Sequence, residues 1–249
     1  MKKYISLCLA LILLLSFAGC TEDAVSEISR TYPITSEITS LEIQVGAADL
    51  TIKTAETLSV ESNIKRLSVT ENSGVLSIID ETKRSSSYTN PILTLYLPED
   101  LAFEHIHIST GAAKLTSKAL TTKSITLQLG AGDVHLTSLN VSDHADITGG
   151  AGEITIDTGT IHNLKLEMGV GELNLTSTLM GNNALTFGVG ESNLTLIGNP
   201  DRYTIDIEKG LGSITVDGHT MQDFESRGPN IVQIHGGVGS VNLKFQNKQ

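Results

Sequence analysis

The fold is decided by four stretches: GAGDVHL at residues 130–136, GAGEITI at 150–156, GVGELNL at 169–175 and GVGESNL at 188–194. Each has a glycine, an aliphatic residue and a second glycine, followed by an acidic residue and alternating apolar residues. Related stretches make eight copies in all and begin at Gly46, Gly111, Gly210 and Gly237. Five consecutive copies begin 19 or 20 residues apart. This period is typical of solenoids and other stacked repeats.

Alternating apolar residues flank each motif, which predicts a strand on either side of it. Around Gly130, for example, Leu127 and Leu129 precede the motif and Val134 and Leu136 follow it. The alternation slips by one residue at the glycines, so the second strand would turn inside out unless the chain bends. We therefore predict structural corners at Gly46, Gly111, Gly130, Gly132, Gly150, Gly152, Gly169, Gly171, Gly188, Gly190, Gly210, Gly212, Gly237 and Gly239.

The predicted fold is all-β: a single-chain β-solenoid, or β-helix, with three short sides per coil of about 19–20 residues and Gly-x-Gly corners. The third side is represented by Thr137–Asp143 (TSLNVSD). Strand pairing at about 4.8 Å predicts on the order of eleven coils in series and a rod roughly 50 Å long. Between the first two motifs we expect degenerate coils, with Lys83–Pro91 looping out.

Equivalent positions stack on one another in a solenoid. We expect the residue after the first glycine to face the interior, which would then widen toward the carboxyl end because the side chains grow along the chain. That column reads Ala47, Ala112, Ala131, Ala151, Val170, Val189, Leu211 and Val238.

A second column carries acidic side chains in four successive coils: Asp133, Glu153, Glu172 and Glu191. It is either a ladder that binds cations or a solvated face, since two charges at that spacing repel by only about 1 kcal/mol in water. Calcium-binding nonapeptide solenoids place Asp two residues after the last glycine of GGxGxD, where this chain has Ile154. We favour the solvated reading and predict no metal.

Catalytic motifs are absent from the sequence: there is no GxSxG elbow, no phosphate loop and no HExxH pair. His105 and His107 share one face of a predicted strand, and the remaining histidines are scattered at His135, His144, His162, His219 and His235. Surface histidines are the favoured interpretation over metal ligands. We predict no catalytic residue and no cofactor.

The first twenty residues resemble a bacterial lipoprotein signal. Lys2 and Lys3 precede the apolar run Ile5–Phe17, which is too short for a stable membrane span, and Ala18 and Gly19 stand before Cys20 as in a lipobox. This predicts an exported protein anchored to a bacterial membrane by lipid on Cys20 and facing outside the cytoplasm. The alternative is an ordinary secretory signal that leaves a free thiol. The predicted division is 1–19 signal peptide, 20–38 lipidated cysteine and flexible tether, and 39–249 β-solenoid domain.

The charge and aromatic content of the chain indicate which classes of molecule it is suited to bind. The formal charge of −11 gives no basic surface for nucleic acid. Aromatic residues make up 4% of the chain and tryptophan is absent, which leaves few platforms for stacking sugars.

The glycine motifs, together with Leu95, Tyr96, Leu97 and Pro98 shortly before one of them, resemble the bacterial putative-adhesin family that includes LiaG-type proteins. The resemblance covers about residues 40–249 and implies a β-solenoid at the cell envelope. In some relatives it also implies a link to envelope-stress signalling. It brings no catalytic residues.

Two functions follow as hypotheses. The leading one is a non-enzymatic envelope lipoprotein whose solenoid is an interaction or adhesion surface for an envelope protein or a cell-wall component. The alternative is a solenoid enzyme acting on cell-wall or extracellular polysaccharide, which would need clustered acids and a basic residue over a groove.

Overall fold

The computed structural model describes residues 25–82, 90–208, 210–220 and 227–247. Nineteen strands and one short 3-10 helix, Pro200–Arg202, make up the regular structure of these residues. The strands are β1 Val25–Pro33, β2 Ser40–Val45, β3 Asp49–Thr54, β4 Ser59–Ile64, β5 Leu67–Asn72, β6 Val75–Asp80, β7 Ile92–Leu97, β8 Phe103–Ala112, β9 Leu115–Ser117, β10 Leu120–Leu136, β11 Leu139–Ile156, β12 Gly159–His162, β13 Leu164–Met180, β14 Asn182–Ile197, β15 Tyr203–Glu208, β16 Leu211–Val216, β17 His219–Thr220, β18 Asn230–His235 and β19 Val238–Gln246.

The centre of the molecule is a stack of long bent strands. Strands β10, β11, β13 and β14 pair in parallel, each shifted along the sequence by one repeat. Their second motif glycines lie in register, in the order Gly132, Gly152, Gly171 and Gly190. The chain is therefore a β-solenoid, and the predicted fold class and period are confirmed.

Buried side chains on three sides form one continuous core. Leu129 and Val134 are both buried although five residues separate them, an odd spacing that places side chains on opposite faces of a straight strand. The bend at the glycines restores both to the interior. The third side contributes Val141, Ile161 and Leu179, which stack in successive layers.

The carboxyl-terminal layers are stacked out of chain order. Strands β18 and β19 pair with β14 on one side and with β15 and β16 on the other. The last segment of the chain therefore lies between two earlier ones. The corner glycines stack as Gly188, Gly237 and Gly210, not in the serial order that the repeat predicted.

The amino-terminal layers are also out of order. Strands β2 and β3 pair directly with β8 and β9, so that Leu41 lies opposite Ile106, while β6 and β7 pair with the other edge of β2 and β3. Of the degenerate coils expected between the first two motifs, one is present in β6 and β7, at the outer end of the stack, and β8 begins the layer of the second motif. Strand β5 pairs antiparallel with β6, and β4 with β7.

Nine parallel layers are present among the described residues, where eleven were expected. In spatial order they are 75–80 with 92–97, 40–54, 103–117, 120–136, 139–156, 159–175, 178–197, 230–246, and 203–208 with 211–216. At about 4.8 Å per step the stack is roughly 40 Å long.

The predicted flexible tether at residues 20–38 is ordered in its second half. Strand β1 pairs antiparallel with β4, with Arg30 opposite Ser62 and Tyr32 opposite Val60. Tyr32 and Ile34 pack against the core and Ile38 is buried within it. The domain therefore includes residues that we had assigned to the tether, because β4 offers a free strand edge that the sequence does not reveal.

Three predictions lie outside the described residues: the signal peptide at 1–19, the lipidation site at Cys20, and most of the loop Lys83–Pro91, of which the structure describes Asn90 and Pro91. Among the described residues, no helix has the length and apolar character to cross a membrane.

Candidate functional site

The corner glycines are placed by contacts between layers. At Gly171 the backbone has φ 143°, and a Cβ there would collide with the carbonyl oxygen of Gly152 in the next layer. Backbone of a neighbouring layer blocks a Cβ at thirteen of the fourteen predicted corners. Gly46 is the exception, since its nearest neighbour is the Asp80 carboxylate at 3.8 Å. Gly212 lacks the positive φ found at the second glycine of the other Gly-x-Gly corners and is restricted by the close backbone of Gly239 alone.

The residue after the first glycine faces outward, so the prediction that this column fills the interior is wrong. Val170, Val189 and Val238 are 54%, 50% and 50% exposed, and Leu211 is 77% exposed. The bend starts at the glycine before them and turns this one position out of the core. Their register places them in adjacent layers in the order Val170, Val189, Val238, Leu211. We call these four side chains the valine stripe.

The stripe is distinctive on this surface. Six large apolar side chains are exposed among the described residues, and the other two are Ile92 and Ile231. The stripe continues toward the amino end as exposed alanines at Ala151, Ala131 and Ala112. Large side chains are thus concentrated in the last four layers of one corner.

Two residues beyond the stripe, the predicted carboxylates stack in adjacent layers as Asp133, Glu153, Glu172 and Glu191. We call these four residues the carboxylate column. All four are exposed. Within the described ranges none of them forms an ion pair with a lysine, arginine or histidine. No three His, Cys, Asp or Glu side chains of the described residues are grouped to hold a metal ion.

A comparison with known protein families identifies the family of this solenoid. The profile of the family described as Toastrack DUF4097 matches residues 38–238, most of the chain. The chain belongs to the Toastrack DUF4097 family. Comparison with curated proteins gives no match.

Several solved structures are similar to this chain at low sequence identity. A putative adhesin from Bacteroides fragilis is 15% identical with a TM-score of 0.52, over 89% of this chain and 98% of that one. A putative adhesin from Parabacteroides distasonis is 12% identical with a TM-score of 0.48, over 91% and 98%. A putative cell adhesion protein from Clostridium sporogenes is 16% identical with a TM-score of 0.37, over 88% and 99%. These proteins carry the names of adhesins, not of enzymes.

An asparagine ladder runs beside the carboxylate column of this Toastrack chain and was missed in the sequence. The Asn193 amide donates to Asn174 Oδ1 at 3.0 Å, and the Asn242 amide donates to Asn193 Oδ1 at 3.0 Å. Thr215 extends the ladder by donating to Asn242 Oδ1 at 3.0 Å. The signal was available, since asparagine recurs five residues after the first glycine in GVGELNL, GVGESNL and GVGSVNL.

The asparagine ladder also donates hydrogen bonds to the carboxylate column. Asn174 Nδ2 donates to Glu172 Oε1 at 2.9 Å and to Glu153 Oε1 at 3.3 Å. Asn242 Nδ2 donates to Glu191 Oε1 at 3.2 Å. Each of these three glutamates is therefore oriented through one carboxylate oxygen.

The histidines of the Toastrack domain do not converge. His105 and His107 point outward on either side of the buried Ile106, and His105 Nδ1 lies 2.5 Å from Ser124 Oγ. Three others pair with single carboxylates: His135 with Asp157 at 2.6 Å, His144 with Asp143 at 3.2 Å and His235 with Glu208 at 2.9 Å. His162 is half-buried and His219 is exposed.

An open groove lies along the amino-terminal corners of the Toastrack domain, where alanines replace the valines. Asp49, Lys114 and Asp133 line it together with Ala112 and Ala131. This arrangement includes the acids and base that a polysaccharide-cleaving enzyme would need. None of its described lining residues is aromatic, so it offers a sugar ring no stacking surface.

Proposed function

We propose that the protein is a non-enzymatic cell-envelope lipoprotein whose β-solenoid is an interaction surface for another envelope protein or a cell-wall component. The observation that carries this proposal is the valine stripe. Exposed large apolar side chains are normally scattered singly, whereas contiguous rows of them mark interaction sites. Here four lie in adjacent layers of a rigid stack.

The relatives support the same class of function. The Bacteroides fragilis structure, which shares the fold over nearly the whole chain, is titled a putative adhesin. A long stack with the same side chains repeated from layer to layer suits recognition of an extended partner better than enclosure of a small substrate. A role in envelope-stress signalling stays a prediction.

Export and anchoring are part of the proposal and rest on the sequence of the first twenty residues. Replacing Cys20 by Ala should abolish incorporation of labelled fatty acid and release the protein from the membrane fraction. The matched control is Cys8→Ala within the apolar run, which should leave lipid labelling intact. Membrane association that persists in the Cys20 variant, with no fatty-acid label on the unaltered protein, would refute the anchor.

The interaction surface is tested by site-specific photocrosslinking in envelope preparations. A photoreactive amino acid at Val189 should give discrete adducts, and one at Thr121, which is exposed on the third side, should give none. Equal adducts from both positions, or none from either, would contradict a role for the stripe. Incubation with purified wall glycans serves as a separate check, because new reducing or unsaturated ends would indicate an enzyme.

A further inference from the structure

We propose that the valine stripe and the carboxylate column together bind one basic amphipathic helix of a partner protein, lying along the solenoid axis. This inference rests on the proposed function and deepens it by stating the chemistry of the partner. It is carried by the placement of the two columns, by their spacing and by their charge.

The two columns run side by side. Their positions are two residues apart within each layer, so the Cα atoms of a pair such as Val189 and Glu191 are at most about 7 Å apart. Two layers carry both features, in Val170 with Glu172 and in Val189 with Glu191. The stripe then continues through two more layers in one direction and the column through two more in the other. Together they span six layers, about 24 Å.

The spacing selects a helix over an extended segment. Layers repeat at about 4.8 Å, while one helical turn advances about 5.4 Å, so three steps accumulate a mismatch of about 2 Å. Side chains on one face of a strand repeat at about 6.7 Å, and the same three steps accumulate nearly 6 Å. Side chains at positions i, i+4, i+7 and i+11 of a helix can therefore lie along the stripe one layer at a time.

The charge selects a basic partner. None of the carboxylates forms an ion pair among the described residues, although Lys114 lies in the layer next to Asp133. The asparagine ladder leaves Oε2 of Glu153, Glu172 and Glu191 outside its hydrogen bonds. Lysine or arginine on the flank of the helix would complement them. A second copy packed antiparallel, stripe on stripe, would bring the Glu191 carboxylates of the two copies into adjacent layers, and an anionic lipid surface would be repelled.

The probe is an 18-residue labelled peptide with leucine at helical spacing and lysine on the adjacent flank. Its binding to the full 249-residue chain is followed by fluorescence anisotropy. Two matched peptides have the same residues in strict alternation, or glutamate in place of lysine. Two variants of the protein separate the columns. One carries Val170→Thr, Val189→Thr and Val238→Thr, which keep the β-branched shape, and the other carries Glu153→Gln, Glu172→Gln and Glu191→Gln.

We expect each variant to bind the helical lysine peptide at least tenfold more weakly than the unaltered protein. Added salt should weaken binding to the unaltered protein more than binding to the glutamine variant. The inference is overturned if the alternating peptide binds as tightly as the helical one, if both variants bind like the unaltered protein, or if the only stripe-dependent event is self-association. Should Val189 still give discrete adducts in envelopes, the proposed function stands and only the helix fails; without adducts both fail.

Discussion

Single glycines in this protein are required by the layers next to them. At Gly171 two restrictions coincide, a positive φ and a carbonyl oxygen of Gly152 in the space of a Cβ. Either one disfavours a side chain, and together they leave glycine as the residue that fits. This explains why the motif recurs with so little variation in the central layers.

Replacing Gly171 by Val should therefore lower the free energy of unfolding by more than about 2 kcal/mol, because backbone strain and the interlayer collision add. Glu172→Gln, one residue away on the exposed column, should change it by less than about 0.5 kcal/mol. Urea denaturation midpoints measure both, provided that the variants share one slope. A neutral glycine variant beside a severe glutamate variant would mean that the carboxylate column is structural.

A second prediction for single residues concerns the asparagine ladder. Asn193 donates one hydrogen bond to Asn174 and accepts another from Asn242. Asn193→Ala removes both and should cost about 1–2 kcal/mol at about 1 kcal/mol for each bond. The control is Asn182→Ala, whose side chain is exposed in the same strand. Equal denaturation midpoints for the two variants would show that the ladder adds nothing to stability.

The corner glycines could be predicted from the sequence, but whether the side chains next to them point inward or outward could not. Where the neighbouring backbone leaves no room for a side chain, glycine recurs at the repeat period, and this periodicity can be seen in the sequence. Valine at the next position is the same residue type as the buried valines, and the slip in alternation leaves its direction undetermined. The outward turn of Val170 and Val189 depends on the path of the backbone through the bend.

Among whole elements, the amino-terminal segment shows how an unpaired strand edge is covered by another segment of the chain. The backbone N–H groups of Thr35 and Ser36 donate to Glu71 Oε2 at 3.2 and 2.7 Å, which fastens the segment after β1 to β5. Hydrogen bonds from the side chain and backbone of Ser36 lower the pKa of Glu71 below its ordinary value near 4.5. Charged Glu71 is therefore favoured in the folded state.

Because the pKa of Glu71 is lower in the folded chain than in the unfolded one, its contribution to stability is present above about pH 4.5 and is lost as the pH falls through the folded value. Glu71→Gln should reduce the urea midpoint at pH 7 and have a smaller effect at pH 3. Glu99→Gln, an exposed control, should shift the midpoint little at either pH. A larger effect of Glu71→Gln at pH 3 than at pH 7 would reverse the sign of this argument.

The sequence predicts that these elements exist but does not predict their spatial order in the stack. Periodicity marks the segments around Gly210 and Gly237 as repeats but contains no information on which neighbour each one selects. Every layer presents similar apolar faces and the same backbone hydrogen bonds, so serial and inserted orders satisfy the pattern equally. The connection at residues 198–202 leads from β14 to β15, two layers away, which leaves the place of the intervening layer to β18 and β19.

At the scale of the whole molecule, that order sets which residues are neighbours along both surface columns. The inserted coil places Val238 between Val189 and Leu211 in the stripe and Ser240 next to Glu191 in the column. In serial order Leu211 would lie directly beside Val189 and Val238 would form the end of the stack. The stripe would be continuous and the column would end at Glu191 in either order, so the insertion decides which residues adjoin Val189 and Glu191 on the surface proposed to bind a partner.

Disulfide trapping tests this central claim most directly. In the full chain with Cys8 and Cys20 replaced by Ser, Glu191→Cys is combined with Ser240→Cys in one protein and with Ser213→Cys in another. Adjacent layers bring the Cα atoms within the 4.4–6.8 Å that a disulfide needs, whereas two layers separate them by about 10 Å. The structure predicts rapid oxidation of the 191/240 pair and little of the 191/213 pair. Rapid oxidation of the 191/213 pair, with the 191/240 pair remaining reduced, would contradict the insertion of the last coil and the order of residues along both columns.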